Sequence, residues 1–191
     1  MSATQEIDYG AAAQLDIRIA RGQDWTATFR ACNMKDILSS TNATPTVLTV
    51  TAHGLTSGNT VYVTGHLVNT AANTTAGVAI TKITDNTYSL TGVAANGTGG
   101  RTGRAGKAID LTDYTVVCEF RDTPAGAVIA TPAVTYPARS AGQFSLTLTS
   151  AQTAAITQRT ARYDVWLVKS GGTYPVLAGN VYFDSGVTDV T

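Results

Sequence analysis

The stretch QFSLTLT (residues 143–149) decides the fold class. Every second position in it is apolar, at Phe144, Leu146 and Leu148, and the positions between them carry Ser or Thr. Successive side chains of a strand point to opposite faces. The pattern therefore predicts a β-strand with an apolar side turned inward and a hydroxyl side turned outward.

The same alternation recurs along the chain. We predict further strands, separated by turn residues, at 15–19, 25–32, 46–51, 60–64, 77–84, 87–91, 114–121, 127–135, 161–169 and 173–184. The only helical candidate is 150–158, capped by Ser150. Short strands with frequent turns, and no helix long enough for a parallel crossover, predict an all-β sandwich or small barrel.

The composition excludes several classes of protein. The chain has 191 residues, 14% of them charged, a formal net charge of +0, and 33 Thr against four Lys and two Glu. The neutral charge argues against a general nucleic-acid or membrane-surface binder, which needs a basic excess. No apolar run reaches the ~18 residues of a membrane span. The N-terminus lacks the features of a signal peptide. Threonine on outward strand positions can be covered by a partner without burying a charge, which favours assembly.

The two cysteines, Cys32 and Cys118, are predicted to be free thiols. Within TVVCEFR (115–121) Cys118 falls on the apolar face, whereas within WTATFRAC (25–32) Cys32 falls opposite the apolar face. One thiol then points inward and the other outward, which disfavours a buried disulfide between sheets. Free thiols fit a protein that folds in a reducing cytoplasm.

A shift in composition divides the chain. Segments 1–43 and 97–191 carry most of the aromatic residues and nearly all charges, whereas 44–96 has smaller residues and its own turn pattern. The twelve residues 96–107 hold five of the 18 glycines and are predicted to form a flexible linker. We therefore predict a discontinuous sandwich with a small β-module inserted at 44–96.

No catalytic or metal-binding pattern stands out. The Gly-rich stretch lacks the spacing of a phosphate-binding loop, since Lys107 is followed by Ala108 rather than by Ser or Thr. His53 and His66 have no Cys or carboxylate at metal-ligand spacing, and neither thiol has a histidine near it in the sequence. We therefore predict no enzyme activity, no metal and no cofactor.

Four side chains are candidate protein-interaction residues. In ARYDVWLVK (161–169), and likewise around Tyr182, the alternation places Trp166 and Tyr182 on outer faces. Either a neighbouring strand or the inserted module covers them, or they anchor a protein interface, where Trp and Tyr are enriched. Arg101 and Arg104, in the Gly-rich stretch, either contact a partner or serve solubility alone.

The segment LTVTAHGLTSGNTVYVTG (48–65), followed by ITKITDNTYSLTG (80–92), resembles a known small β-module. This is the module named after the first catalytic cysteine half-domain of ubiquitin-activating enzymes, and it recurs in structural proteins of tailed bacteriophages. The resemblance implies a small β-barrel-like fold. It implies no activity, because 44–96 contains no cysteine.

The flanking segments are similar to an immunoglobulin-like domain at the N-terminus of phage baseplate upper proteins. The matching segments are IARGQDWTATF (19–29), IDLTDYTVVCEFRD (109–122), GQFSLTLTSAQTAAI (142–156), RYDVWLV (162–168) and GNVYFDSGVTDV (179–190). The resemblance implies an immunoglobulin-like sandwich at 1–43 and 97–191. In the baseplate proteins this domain continues into a fibre or receptor-binding stalk, whereas the sequence ends at Thr191, so we expect a compact adaptor or decoration protein.

Together these features predict a non-enzymatic structural component of a tailed-phage virion, assembled in the host cytoplasm. The favoured role is a tail or baseplate adaptor that anchors fibres or neighbouring tail proteins. A capsid cement or decoration protein on the head is the alternative, and a carbohydrate-binding module is a further one. The expected partners are other virion proteins and copies of the chain itself, with no nucleic acid and no membrane.

Overall fold

The computed structural model describes residues 4–9 and 12–184 of the chain. Strands take up 52% of it and helices 7%, which confirms the all-β prediction. In chain order the strands are β1 (Gln5–Asp8), β2 (Ala13–Gln14), β3 (Ile17–Ala20), β4 (Trp25–Asp36), β5 (Ser39–Ser40), β6 (Val47–Thr49), β7 (Thr60–Thr64), β8 (Thr74–Lys82), β9 (Thr87–Leu90), β10 (Arg104–Ala108), β11 (Thr115–Arg121), β12 (Val128–Ala130), β13 (Ala133–Thr135), β14 (Gln143–Leu148), β15 (Thr160–Lys169) and β16 (Gly172–Asp184). Short 3-10 turns lie at Thr70–Ala72 and Arg139–Ala141.

The chain folds into two compact units. The first comprises Met1–Ala31 with Asp110–Thr191, and the second comprises Cys32–Ile109. The second unit therefore extends on both sides of the segment 44–96. Residues 185–190, the end of the resemblance to the baseplate domain, lie outside the described residues.

The first unit is a sandwich of two sheets. In one sheet β14 pairs with β13 and with residues 25–30 of β4. The other sheet has the antiparallel order β12-β11-β15-β16, and β16 pairs in parallel with β2 and β3. The ring of Trp25 on the first sheet meets that of Phe120 on the second, with centroids 5.9 Å apart. Buried residues of both sheets fill the interior, among them Phe29, Phe144, Leu146, Leu148, Val116, Cys118, Val165, Leu167 and Val181.

The second unit is a small closed barrel. Its strands pair in the order β10-β7-β8-β9-β6-β5. Residues 32–36 of β4 pair with β10, and the same run of chain continues into β5, which pairs with β6. A bridge between Ser40 and Gly99 completes the ring. The interior holds the buried side chains of Ile37, Leu48, Val50, Leu55, Val61, Val63, Ala72, Ile80, Tyr88, Leu90 and Ala105.

The flexible linker predicted at 96–107 is wrong, because β10 lies in this stretch. β10 pairs with β4 on one side and with β7 on the other, so it is a central strand of the barrel wall. A β carbon placed on Gly106 would lie 2.2 Å from the carbonyl oxygen of Asn33. Glycine in a strand often marks such a close approach of two backbones. At Gly106 the absence of a side chain is therefore required by the tight packing of β10 against β4.

The single strand predicted at 127–135 is also wrong. β12 pairs with β11 in one sheet of the sandwich, whereas β13 pairs with β14 in the other. Pro132 lies between the two strands and has no N–H to donate to a ladder. The chain therefore changes sheets at this residue.

The predicted helix is present but shorter and capped differently. The α-helix α1 spans Ser150–Ala155, and Thr149, not Ser150, is its N-cap. The Thr149 side chain accepts from the Gln152 amide, and the Gln152 side chain accepts from the Thr149 amide, which is a capping box. In the described part of the chain no helix is long and apolar enough to cross a membrane.

Both cysteines are free, as predicted, and both are buried. Cys118 points into the sandwich, where burial raises the pKa of its thiol. Cys32 lies on the other face of β4, yet it is 0% exposed because it packs in a small apolar cluster with Met34 and Tyr62.

Candidate interaction surfaces

His53 and His66 both support the structure of the barrel. The Nε2 of His53 donates to the carbonyl of Thr84 at 2.9 Å, and its Nδ1 accepts from the amide of Leu55 at 3.0 Å. The Nδ1 of His66 lies 3.1 Å from the hydroxyl of Thr102, and burial lowers the pKa of His66. Among residues 4–9 and 12–184, no group of three or more His, Cys, Asp or Glu side chains is placed to hold a metal ion.

Trp166 and Tyr182 lie on the same face of the sandwich, the side of the β11-β15-β16 sheet turned away from the core. We call this surface the outer face. It consists of Val117, Glu119 and Arg121 from β11, Arg162, Asp164 and Trp166 from β15, and Pro175, Asn180 and Tyr182 from β16. Trp166 and Tyr182 are half-buried there, and Val117, paired with Trp166, is 42% exposed.

Charged residues form two rows in the middle of the outer face. Glu119 lies opposite Asp164, and two residues farther along, Arg121 lies opposite Arg162. Like charges directly opposite each other destabilise a sheet. Arg121 is neutralised within its own strand, with its Nη2 2.5 Å from Glu119 Oε2. The side chains of Arg162 and Asp164 form no hydrogen bond or salt bridge with the residues that the structure describes, although the charge of Arg162 is near enough to Asp16 to help lower the pKa of that carboxyl.

A groove of about 360 Å³ opens beside these charged rows. All four charged side chains line it, together with Gln14 and the turn at residues 123–125. Ala178 and Gly179, which carry almost no side chain, also line it. The outer face therefore offers both charge and depth to a partner.

The Tyr182 end of the outer face is polar and internally paired. The guanidinium of Arg18 lies 5.2 Å from the centre of the Tyr182 ring and 3.5 Å from the carboxylate of Asp184. Asp16 accepts two hydrogen bonds from Asn180, one from the backbone amide and one from the side chain. These bonds lower the pKa of the Asp16 carboxyl.

The two candidate arginines lie in the barrel unit and differ from each other. Arg104 is in β10, with its Nε 3.3 Å from the carboxylate of Asp36 and its Nη2 donating to the carbonyl of Met34 at 2.9 Å. It therefore braces the barrel wall. Arg101 lies in the bend before β10 and is exposed.

One apolar loop was not singled out by the sequence analysis. We call it the Leu67–Val68 loop (residues 65–69), between β7 and β8 in the barrel unit. Leu67 is 75% exposed and Val68 is 50% exposed, whereas their polar neighbours His66 and Asn69 are 1% and 0% exposed. This reverses the usual placement of apolar and polar residues.

Side-chain hydrogen bonds hold the backbone of the Leu67–Val68 loop. Asn73 accepts from the amide of His66 at 2.8 Å and donates to the carbonyl of the same residue at 2.9 Å. Asn69 donates to the hydroxyl of Thr46 at 2.8 Å and accepts from the amide of Asn96 at 3.2 Å. A loop fixed in this way loses little entropy when its apolar side chains dock on a partner.

A tyrosine cluster in the sandwich also escaped the sequence analysis. The hydroxyl oxygens of Tyr9 and Tyr114 are 3.0 Å apart, and the rings of Tyr9 and Tyr174 lie 4.7 Å apart. Burial opposes ionisation of Tyr114, but hydrogen bonds from Lys169 and Tyr9 outweigh it and lower the pKa of Tyr114. Burial, with the same bond between the two hydroxyls, raises the pKa of Tyr9. Sequence spacing gives no signal for residues that meet from three distant segments.

No protein-family model matches the chain, and no curated protein matches its sequence significantly. The function proposed below therefore rests on the chain's own residues and on the resemblances of its segments.

Proposed function

We propose that this chain is a non-enzymatic structural component of a tailed-phage virion, assembled in the host cytoplasm. Its proposed role is a tail or baseplate adaptor that anchors fibres or neighbouring tail proteins. The sandwich of the first unit is proposed to be immunoglobulin-like, as the resemblance of its segments implies.

The supporting observation is the contact between the two segments that carry the resemblance to the small β-module, residues 48–65 and 80–92. His53, in the segment 48–65, donates to the carbonyl of Thr84, in the segment 80–92. Its ring also packs edge to face on Tyr88 of that second segment, with centroids 5.0 Å apart. Two of the residues that carry the resemblance, His53 and Tyr88, are thus buried and in contact with each other, which supports the proposal.

The surfaces suit an adaptor. The barrel unit presents the Leu67–Val68 loop on a fixed backbone, and the sandwich presents the outer face with Trp166 and Tyr182. Apolar and aromatic side chains in such positions are typical anchors of protein interfaces. With only 14% charged residues, a partner can cover much of the surface at a small desolvation cost.

Immunogold labelling of purified virions with an antibody against the chain tests the proposal. We expect gold at the tail or baseplate. Gold confined to the head surface would contradict the adaptor and favour a capsid decoration protein. Absence of the chain from purified virions would contradict any structural role.

A carbohydrate-binding module is a second candidate, favoured by one feature of the outer face. The half-exposed ring of Trp166 lies two positions from Asp164 on the same strand face, beside the groove. Such a ring offers an apolar surface for a sugar, and the carboxylate accepts hydrogen bonds from its hydroxyls. Binding on a glycan array that Trp166→Ala abolishes is expected of this candidate, and silence of the array excludes it.

A further inference from the structure

The rows of the outer face follow an order that makes the face complementary to itself. Along the strands the order is an apolar row (Val117, Trp166, Pro175), an acidic row (Glu119, Asp164), a basic row (Arg121, Arg162) and a polar row (Thr160, Tyr182) next to Arg18. The acidic and basic rows are adjacent and have equal numbers of charges. Each residue of the acidic row has a basic residue two positions away on its own strand.

We propose that the outer face is the contact surface between two copies of this chain, related by a two-fold axis. The axis lies in the plane of contact, runs across the strands, and passes between the acidic and basic rows. It places Asp164 of each copy over Arg162 of the other, and Glu119 over Arg121. The apolar row of each copy, with Trp166, then covers the Tyr182 row of the other.

The charges select this arrangement over its alternative. A two-fold axis running along the strands would place the acidic row over the acidic row and the basic row over the basic row. Like charges facing each other across an interface oppose association. The pairing of two identical patches by a two-fold axis is the commonest form of self-association in soluble proteins.

Self-pairing also accounts for features that are unfavourable in the isolated chain. The side chains of Asp164 and Arg162 form no salt bridge within the described residues, where Arg162 has only the longer-range attraction of Asp16, and each lies opposite a residue of its own charge on β11. Both find a counter-ion in the second copy. Val117 is 42% exposed and becomes covered. The groove beside the charged rows gives room for the long arginine side chains of the second copy.

The size of the face sets the expected strength. A residue spans roughly 3.3 Å along a strand and neighbouring strands are about 4.8 Å apart, so the three strands offer on the order of 500 Å² per copy. Specific interfaces begin near about 1,000 Å² in total. The dimer is therefore weak and its population depends on protein concentration.

The proposed dimer depends on the proposed function in one respect only, namely the expectation that it occurs within an assembly of repeated subunits. Its test uses the purified full chain, without virions. A monomeric chain would overturn the self-pairing and leave the tail assignment open to its own labelling test. Gold on the head would overturn the tail assignment and leave the dimer untouched.

Sedimentation velocity over a series of concentrations tests the dimer with two charge-reversal variants. For the wild type we expect sedimentation to shift from monomer to dimer as the concentration rises. Asp164→Arg and Arg162→Glu should each weaken self-association at least tenfold, because each creates two like-charge contacts across the axis. An equimolar mixture of the two variants should dimerise again, since Arg at position 164 of one copy then meets Glu at position 162 of the other.

The double variant Asp164→Arg/Arg162→Glu separates a face-specific effect from misfolding. It should dimerise with itself but not with the wild type, because the order of charges is reversed while the net charge is unchanged. Arg101→Glu, in the barrel unit, is the charge-matched control for Arg162→Glu and should leave the dimer unaffected.

Three results would overturn the proposal. The first is a wild type that stays monomeric at all concentrations. A monomeric wild type overturns the proposal even if the same variants prevent the chain from binding a virion protein or a glycan. The second is a dimer that neither single variant weakens. The third is a mixture of the two variants that stays monomeric.

Discussion

Gly106 of β10 lies directly against the backbone of Asn33 in β4. A β carbon on Gly106 would lie 2.2 Å from the carbonyl oxygen of Asn33 and 2.7 Å from its carbonyl carbon. Both atoms belong to a strand paired with β10, so they cannot move aside as a flexible side chain would. We expect Gly106→Ala to lower the free energy of unfolding by roughly 2–3 kcal/mol, measured by urea denaturation.

Gly100→Ala is the matched control for Gly106→Ala. A β carbon at Gly100 meets nothing within 4 Å, so the change should stay within about 0.5 kcal/mol. If both variants unfold at the same urea concentration as the wild type, the close approach of β10 and β4 is not present in solution.

A buried ion pair connects β1 to β4 in the sandwich. The Nη1 of Arg30 lies 2.8 Å from Glu6 Oε1, and the two side chains are only 8% and 6% exposed. Breaking a buried ion pair by removing one of its two members typically costs about 3–5 kcal/mol. We expect Glu6→Leu to lower the unfolding free energy by roughly that amount in a urea titration.

The exposed pair of Lys82 and Asp85 is the control for this prediction. Its atoms are 2.7 Å apart, but the Asp85 side chain is 86% exposed. Surface pairs contribute about 0–1 kcal/mol, so Asp85→Ala should change stability little. Equal losses from Glu6→Leu and Asp85→Ala would show that the Arg30 pair is not buried in solution.

His66 should make the stability of the protein depend on pH. Its ring is 1% exposed, its Nε2 has no hydrogen-bond partner among the described residues, and burial lowers its pKa. In the unfolded chain the ring binds a proton below its ordinary pKa of about 6.5. The unfolded state then holds more protons than the folded state, so stability is full above that pH and falls as the pH drops toward the folded pKa.

Urea titrations of the wild type and of His66→Asn at pH 7.5 and at pH 5.5 measure this effect. The wild type should lose more stability between the two pH values than His66→Asn does. An identical loss in both proteins would assign the pH dependence to other groups.

The Leu67–Val68 loop should matter for assembly and not for folding. Because both side chains are exposed, Leu67→Ser/Val68→Ser should change the unfolding free energy by less than about 0.5 kcal/mol. If the loop anchors a virion partner, the variant should be lost from virions purified after complementation. Ile83→Ser removes a side chain that is 55% exposed on another turn of the barrel unit and should still be incorporated. Normal incorporation of the double variant would exclude the loop as an anchor.

Alternation of apolar and polar residues was enough to predict most of the strands, because side-chain direction is a local property of a strand. β7 has the predicted bounds, and β14 lies within the stretch that decided the fold class. β10 was missed because its glycine-rich sequence has no apolar alternation. Its place is fixed by contact with β4, which no local pattern contains.

The outer face was only half predictable for the same reason. Alternation placed Trp166 and Tyr182 on outward positions. The pairing of Glu119 with Asp164 depends on the register between β11 and β15, which are separated by the intervening strands β12 to β14. The exposure of Leu67 likewise follows from hydrogen bonds to distant residues, such as the bond from its amide to the hydroxyl of Thr102, 35 positions away.

Cys32 and Ala108, near the two ends of the barrel unit, are direct partners in the ladder between β4 and β10. The barrel's entry and exit are therefore about 4.8 Å apart, the spacing of neighbouring strands. The chain therefore enters and leaves the barrel unit at neighbouring positions, as it would at a hairpin turn. Residues 32–109 thus begin and end at neighbouring positions, which is the geometry needed for insertion between the ends of two adjacent antiparallel strands. A fragment limited to residues 44–96 would lack the flanking segments 32–43 and 97–109, which close the barrel.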